Sequence, residues 1–556
     1  MDALLLPTPT CNTGLAPRLG GFTCLASALD YAAEGDTGLN IYSSLGQLNL
    51  RLSYADLHQQ ALVAAQHLAG LGLKRGTRVG LPGETSGQFF TLFFACQYAG
   101  LVPCVLPFNL NPGGKQPYLR QLHSMLNCAS AELLIAPQTL LEWFQHNDLN
   151  LNCQTLTEDQ LYNLAPCALP DALGPQEMAY VQFSSGSTAE PKGILISQKA
   201  VCDNIDAILH DGMNLRSNDR AFSWLPMYHD MGLVGFFLAA LCAQCTVDYL
   251  SPSSFAKRPS LWLQLMSANH SSITYAPAFA YHLAAERLHD PSGIDLTRLR
   301  IAGVGGEMIR YPLLETFTAA LSPYGFSPSA WLPSYGMAEN SLAIAIARPG
   351  LGARLSYGSP DDPRALVCCG TPLPGTQIRI VDAHGNAVEH GETGHIRLRS
   401  GSMMNGYLTA DGIDTSPFDA YGFIDTGDLG YWHSDQLVIS GRSKELIQVR
   451  GRNLWPQEIE WSLQQAAGLA PTDVAAFSVE QEDQEQLIVL VQSRQRHDPM
   501  LSQNLLNLLH TTLNQHFGIN ATIHLVAPRS LPLTTSGKLS RQKAREHYLQ
   551  GEFSLT

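Results

Sequence analysis

Charge is scarce in this chain of 556 residues: only 15% of positions are Asp, Glu, Lys or Arg, and the balance is acidic, with a formal net charge of −14. An acidic chain lacks the electrostatic footprint of a nonspecific nucleic-acid binder or of a protein that lies on anionic lipid. Long apolar runs are missing too. The uncharged stretch MGLVGFFLAALCAQCTV between Asp230 and Asp248 is shorter than the ~20 residues that span a bilayer, and reads as a buried helix running into a strand. The first residues, MDALLLPTPTCNTG, have neither the basic region nor the apolar core of a secretory signal, so a cytoplasmic protein is expected. Twelve cysteines are scattered without a framework spacing, which suits reduced thiols better than disulfides. Cys242 and Cys245 form an isolated C-x-x-C and Cys368 and Cys369 are adjacent; with no second spaced pair, buried thiols are a better reading than zinc. No tandem repeat or low-complexity tract occurs.

What is present is α/β texture. Leu52 to Leu71 has helical periodicity, glycines at 70, 72 and 76 break it, and RVGL opens an apolar strand; GQFFTLFFACQYAG then reads as a buried helix and LVPCVLPF as the next strand. Alternation of this kind predicts doubly wound sheets. TRLRIAGVGGEM and SPSAWLPSYGMAE each end a strand in a glycine turn, where open α/β sheets bind ligands. From about residue 365 shorter strands with dense glycine predict a β-rich subdomain to about 443, and residues 444–556 are enough for a small α+β domain of their own. The boundaries expected are thus 1–443 and 444–556.

The most informative run is SSGSTAEPKG, directly after the apolar stretch MAYVQF. Small hydroxyl and glycine residues around one lysine suit a loop that wraps N–H and O–H donors about a polyphosphate, although a flexible Ser/Gly turn has the same composition. The pattern is not G-x-x-x-x-G-K-[ST], because Pro191 stands where the second glycine would fall. Further along come WLPMYHDMGLVG, AGVGGEMI, SYGMAENSL, GFIDTGDLGYW, ISGRSKELIQVRGRNLWPQEIE and LPLTTSGKLSR. In this order, over about residues 50–545, they resemble the adenylate-forming superfamily of acyl-CoA synthetases, luciferases and adenylation domains. Within it the likeness is to the fatty acyl-AMP ligases, carried by LPMYHDMGLVG, SPSSFAKRPSLWL, APAFAYHLAAERL and above all VRGRNLWPQEIE.

The resemblance implies activation of a carboxylic acid by ATP with Mg²⁺, and it implies roles residue by residue. Ser184, Ser185, Gly186, Ser187, Thr188, Lys192 and Gly193 would cradle the phosphates, with Thr188 near the metal. Glu339 resembles the Mg²⁺ ligand, a hard oxygen donor suited to a cation that bridges phosphates; by itself it reads as a solvated helix-start residue. Tyr335, in the run Ser334, Tyr335, Gly336, Met337, would stack on adenine, with Gly305, Gly306 and Glu307 along the base edge; core packing is the bland reading of that tyrosine. Asp428 would accept from the ribose hydroxyls and Arg442 would make the second ribose or phosphate contact. Lys538 resembles the lysine that the small domain inserts between carboxylate and α-phosphate. His229 would sit at the mouth of the acyl pocket, orienting rather than moving a proton, since a carboxylate substrate is already ionised at pH 7. Met231, Gly232, Phe279 and Gly303 are acyl-channel candidates, and Lys444 matches the hinge.

The acceptor follows from weaker signals. Arg450 and Arg452 around Gly451 are bulky where CoA-forming relatives carry small residues, which favours an acyl carrier protein on a separate chain. The stretch between Glu339 and Thr371 is shorter than in typical acyl-AMP ligases, which keeps an acyl-CoA synthetase open; a catalytically silent nucleotide-binding scaffold is a third alternative, against which the presence of Glu339, Asp428, Arg442 and Lys538 argues. Arg529, Lys538, Arg541, Lys543 and Arg545 form the basic cluster expected to steer an acidic carrier.

Overall fold

The computed structural model describes residues 6–108, 114–147, 149–183, 191–357, 365–409, 411–449, 452–481, 484–533 and 539–554. Two large sheets organise the N-terminal part. One has nine strands in which Trp331–Gly336, Ile301–Val304, Ile273–Ala276, Arg220–Ser223, Thr246–Tyr249 and Gly38–Tyr42 run parallel as neighbours. In the second, of eight strands, Met178–Phe183, Val102–Leu106, Arg78–Pro82, Leu133–Ile135 and Gln154–Leu156 do the same.

Between the sheets lie two apolar helical segments, which explains why their sequences show no polar face. In Gly87–Tyr98 every residue from Phe89 onward is buried, as expected of a helix that is hydrophobic all round. Its N-terminus is capped by Ser86, whose hydroxyl accepts from the Phe89 amide at 3.2 Å. Phe90 meets Phe237 at 4.5 Å between ring centres and Tyr249 of one sheet at 5.6 Å, while Phe93 reaches Tyr180 of the other at 6.3 Å. Phe237 belongs to the uncharged stretch, which is helical over Asp230–Gly232, widens to π pitch over Leu233–Leu238, returns to α pitch over Ala239–Cys242 and feeds the strand Thr246–Tyr249. Cys242 and Cys245 are buried free thiols there, and burial pushes the Cys245 thiol up to about 12.

A four-stranded antiparallel sheet of Gln377–Val381, Gly394–Arg399, Ile424–His433 and Gln436–Arg442 follows. The smaller C-terminal domain has its own apolar core. Its sheet of Val474–Gln481, Gln484–Gln492 and Thr522–Val526 is packed by the helices Pro456–Ala467 and Pro499–Phe517. Both helices end on a glycine in the left-handed region, Gly468 and Gly518, each at φ +62°, where any side chain would be strained. Among the described residues no helix is long and apolar enough to cross a membrane.

Candidate active site

Ser334 to Gly336 at the end of the strand Trp331–Gly336 and Gly306 to Arg310 after Ile301–Val304 line one large cavity of ≈1040 Å³, to which the small domain contributes Gln457, Glu460, Trp461 and Gln464. Close backbone approach shapes its rim. Gly305 follows the strand Ile301–Val304 so tightly that a Cβ would lie 2.7 Å from the Ser334 carbonyl oxygen, and Gly306 turns the chain at φ +76°. Only glycine meets both demands.

The polar end is built by pieces distant in sequence. Tyr335 is buried and donates its hydroxyl to Asp428 Oδ2 at 2.6 Å, while Arg442 Nε donates to Asp428 Oδ1 at 3.1 Å. Asp428 and Arg442 are direct cross-strand partners of the four-stranded sheet. Their exposures differ: the Asp428 side chain is 8% exposed and Arg442 59%. Burial raises the Asp428 carboxyl above its ordinary range, with Arg442 and the Tyr335 hydroxyl pulling the other way.

Glu339, on the single turn Ala338–Asn340, accepts from the Tyr407 hydroxyl at 2.7 Å. Burial raises its carboxyl too. Lys192 places its ammonium 4.9 Å from the centre of the Tyr407 ring, so the tyrosine ties the lysine after the Ser/Gly run to the glutamate. Gln182 lines the same wall, and its Oε1 is buried without a hydrogen-bond partner among the described residues.

These groups suit a nucleotide with a divalent cation. Asp428 is a carboxylate of the kind that could accept from vicinal hydroxyls, Lys192 and Arg442 are cations that could meet phosphate, and Glu339 is a hard-oxygen donor. No cluster of three or more His, Cys, Asp or Glu side chains capable of holding a metal occurs among the described residues. One carboxylate fits the usual habit of Mg²⁺, which shares one or two carboxylates with substrate phosphates and water.

The apolar end of the cavity runs down the inside of the sheet. Met231, Gly235, Phe236, Ala239, Ala240 and Ala243 wall one side, and the small residues among them leave the space open. Ala221 and Ile273, paired at the N-terminal ends of their strands, are reached from the same cavity. His229 lines the same cavity, with Nδ1 2.7 Å from Asp230 Oδ1.

Most of the residues singled out from the sequence converge here: Lys192, His229, Met231, Phe279, Gly306, Glu307, Ser334, Tyr335, Gly336, Met337, Glu339, Asp428 and Arg442 all line the cavity. Gly193 lies one residue behind, in the strand Gly193–Ser197. Two acyl-channel candidates do not line it. A Cβ on Gly232 would fall 2.2 Å from the Pro226 carbonyl oxygen and one on Gly303 2.0 Å from the Tyr275 ring, so both serve close packing behind the wall. Arg541 is also corrected. It does not stand free on a basic surface but is half-buried against acidic partners, donating to Glu460 at 2.8 and 2.7 Å and to Glu445 at 3.0 Å. Lys444 is exposed on the short turn Ser443–Glu445, and Arg529, Lys543 and Arg545 are exposed. Ser184, Ser185, Gly186, Ser187, Thr188, Arg450, Gly451 and Lys538 lie outside the described residues.

Tyr407, Gln182 and Arg310 went unnoticed in the sequence. Tyr407 meets a glutamate 68 residues away, and no local pattern announces such a contact.

A model of the AMP-binding enzyme family matches residues 37–408. A Caulobacter vibrioides protein that carries a provisional acyl-CoA synthetase name is 39% identical over the full length of both chains. A medium-chain-fatty-acid–[acyl-carrier-protein] ligase of Moorena producens, JamA, is 28% identical over 95% of this chain and 96% of its own. In three dimensions, a structure from work on fatty acyl-adenylate ligases of E. coli and L. pneumophila superimposes with a TM-score of 0.91 at 35% identity, covering 97% of this chain and 100% of that one. A fatty acyl-adenylate ligase of L. pneumophila in complex with acyl adenylate and pyrophosphate gives a TM-score of 0.70 at 25% identity over 95% and 96%. The family model over residues 37–408 and the full-length 39% relative together establish that the chain belongs to the AMP-binding enzyme family, within the adenylate-forming superfamily.

Proposed function

We propose that the protein is a fatty acyl-AMP ligase that passes its acyl group to the phosphopantetheine thiol of an acyl carrier protein. The observation that carries this reading is that one cavity is lined both by the apolar Met231, Phe236, Ala239 and Ala240 and by His229, Tyr335, Glu339, Asp428 and Arg442. A fatty acid against the apolar residues brings its carboxylate to the polar ones. Carboxylate oxygen then attacks the α-phosphorus of ATP, the bond to the bridging oxygen breaks, and pyrophosphate leaves. In the second step the carrier thiol, losing its proton, attacks the acyl carbon and AMP departs.

The first step gathers negative charge, so positioning and neutralisation are what this chain must provide. Asp428 accepts from the ribose hydroxyls, held by Tyr335 and Arg442; Tyr335 offers its ring to adenine beside Gly305, Gly306 and Glu307; Lys192 and the run Ser184–Thr188 with Gly193 take the phosphates; Glu339 and Thr188 hold Mg²⁺. The cation, when bound, neutralises phosphate charge. His229 orients the substrate carboxylate, and Lys538 bridges it to the α-phosphate. The domains divide at 443/444, with residues 365–443 as the β-rich subdomain and Lys444 as the hinge. Unpaired cysteines suit a cytoplasmic setting.

The carrier acceptor is supported by JamA and by the bulky Arg450 and Arg452. An acyl-CoA synthetase is the second reading, favoured by the name of the C. vibrioides relative. Mass spectrometry of the purified protein with ATP, Mg²⁺ and a panel of carboxylic acids decides, run with no acceptor, with CoA and with a phosphopantetheinylated carrier. Acyl-AMP and a carrier thioester without acyl-CoA are expected; efficient acyl-CoA formation transfers the assignment to the synthetases. Lys538→Ala is expected to lower ATP–pyrophosphate exchange by about 10²- to 10³-fold, and wild-type exchange in that variant would remove Lys538 from the mechanism.

A further inference from the structure

One face of the helix Pro456–Ala467 is polar where it turns toward the cavity. Gln457, Glu460, Trp461 and Gln464 all line it, at the i, i+3, i+4, i+7 spacing of a single helical stripe. Each member of the stripe is tied to another part of the molecule. Gln457 donates to Glu445 Oε2 at 2.7 Å, one residue beyond Lys444. Glu460 receives both arms of Arg541 and also the Ala476 amide at 2.9 Å. Arg541 follows Lys538 by three residues in the sequence. Gln464 also donates to the Pro471 carbonyl at 3.0 Å, holding the loop after the helix against the same space.

The large domain answers this stripe with Arg310. Its guanidinium lies 4.8 Å from the centre of the Trp461 ring and donates from Nη1 to Gln464 Oε1 at 3.0 Å. Arg310 is the N-cap of the helix Tyr311–Leu321, so its backbone is fixed by the body of the large domain. Burial lowers its pKa, against the pull of Glu307 and Glu460. A guanidinium is suited to this place: its plane stacks on indole while its fork still donates, which an ammonium does not reproduce.

We propose that Arg310 is a positioning residue for adenylation: by clamping Trp461 and Gln464 it sets the helix Pro456–Ala467 against the large domain, and through Glu460 and Arg541 it sets the anchor that follows Lys538 in the chain. The proposal rests on the assignment of Lys538 to the adenylation step. Arg310 acts on that step through the small domain and not by touching nucleotide.

The test is ATP–pyrophosphate exchange by the full-length protein at saturating fatty acid, for Arg310→Ala, Arg310→Lys, Trp461→Leu, Lys538→Ala and the doubles. Arg310→Ala is expected to lower kcat about tenfold with KM for ATP changed less than about twofold, the signature of an interaction used in the transition state. Arg310→Lys should recover part of the loss. Trp461→Leu reaches the same contact from the other domain and should show the same split, with Arg310→Ala adding little to it. In the Lys538→Ala background Arg310→Ala should have no further effect on kcat. A full multiplicative loss in that background, or a rise in KM for ATP with kcat unchanged, overturns the proposal while leaving Lys538 in place. Wild-type exchange by Lys538→Ala overturns both assignments at once. If Arg310→Ala does not fold, Trp461→Leu alone and with Lys538→Ala gives the same decision.

Discussion

Two Asp–Arg pairs of the large domain show how burial separates architecture from function. Asp248 and Arg220, on neighbouring parallel strands, are 0% and 5% exposed and joined at 2.7 and 2.8 Å. Further bonds hold both: Asn40 donates to Asp248 at 2.9 Å and Arg220 donates to the Thr8 carbonyl at 2.9 Å. The Asp428 and Arg442 pair has one contact between its members, at 3.1 Å, and the arginine is 59% exposed. The first pair is enclosed by protein. The second is held in place on one side and open to a cavity on the other, which is the arrangement a ligand site requires. Burial raises both aspartates, so the carboxylate alone does not distinguish them; the state of its partner does.

The comparison breaks most readily at the closed pair. Arg220→Leu strands a buried carboxylate and is expected to cost about 3–5 kcal/mol, read as a lower denaturation midpoint for the large domain. The double variant Arg220→Leu, Asp248→Leu should recover much of that loss. Equal destabilisation of the single and double variants would show that lost packing, not the unpaired charge, sets the cost.

Asp428→Asn probes the open pair and should do the reverse. The amide keeps the shape and removes a charge that burial disfavours, so the midpoint should move little. Meanwhile kcat/KM for ATP should fall about 10- to 100-fold, about 1.4–2.7 kcal/mol. A large loss of stability with unchanged nucleotide kinetics would make this pair structural like the first.

The smallest effect is in pH. Asp428 and Glu339 must be ionised to accept hydroxyls or hold a cation, and burial raises both. Activity should therefore fail on acidification at a higher pH than ordinary carboxylates titrate. Their contribution to stability runs the other way. Between the unfolded and folded pKa values the native state binds more protons, so that contribution weakens as pH rises through the window. The Tyr335 hydroxyl lowers the Asp428 pKa, so Tyr335→Phe should move the acid limb of the rate profile upward. A limb that stays in place would mean another group controls it.

The motif residues that meet in the site were legible because each is bound to a local shape. Gly305 and Gly306 end a strand, Glu339 follows a strand by a short turn, and Asp428 and Arg442 face each other on strands joined by a short connection. Charge and size read one residue at a time misled elsewhere. Arg541 belongs to a basic run but is neutralised by Glu460 and Glu445, 81 and 96 residues away. Gly232 and Gly303 sit among apolar neighbours yet are small to admit backbone and a ring, not an acyl chain.

The sequence by itself determined the layered α/β plan, the order of the nucleotide-binding pieces and the separate small domain, because periodicity, turn glycines and motif order are local properties of a chain. Tertiary structure alone decided that Tyr335 is committed to Asp428, that Tyr407 bridges Glu339 and Lys192, that Arg541 is paired with Glu460, and that Arg310 meets Trp461. Each of those depends on which distant side chains share a desolvated space. In such a space a charge or a hydroxyl takes its role from the partner it finds there.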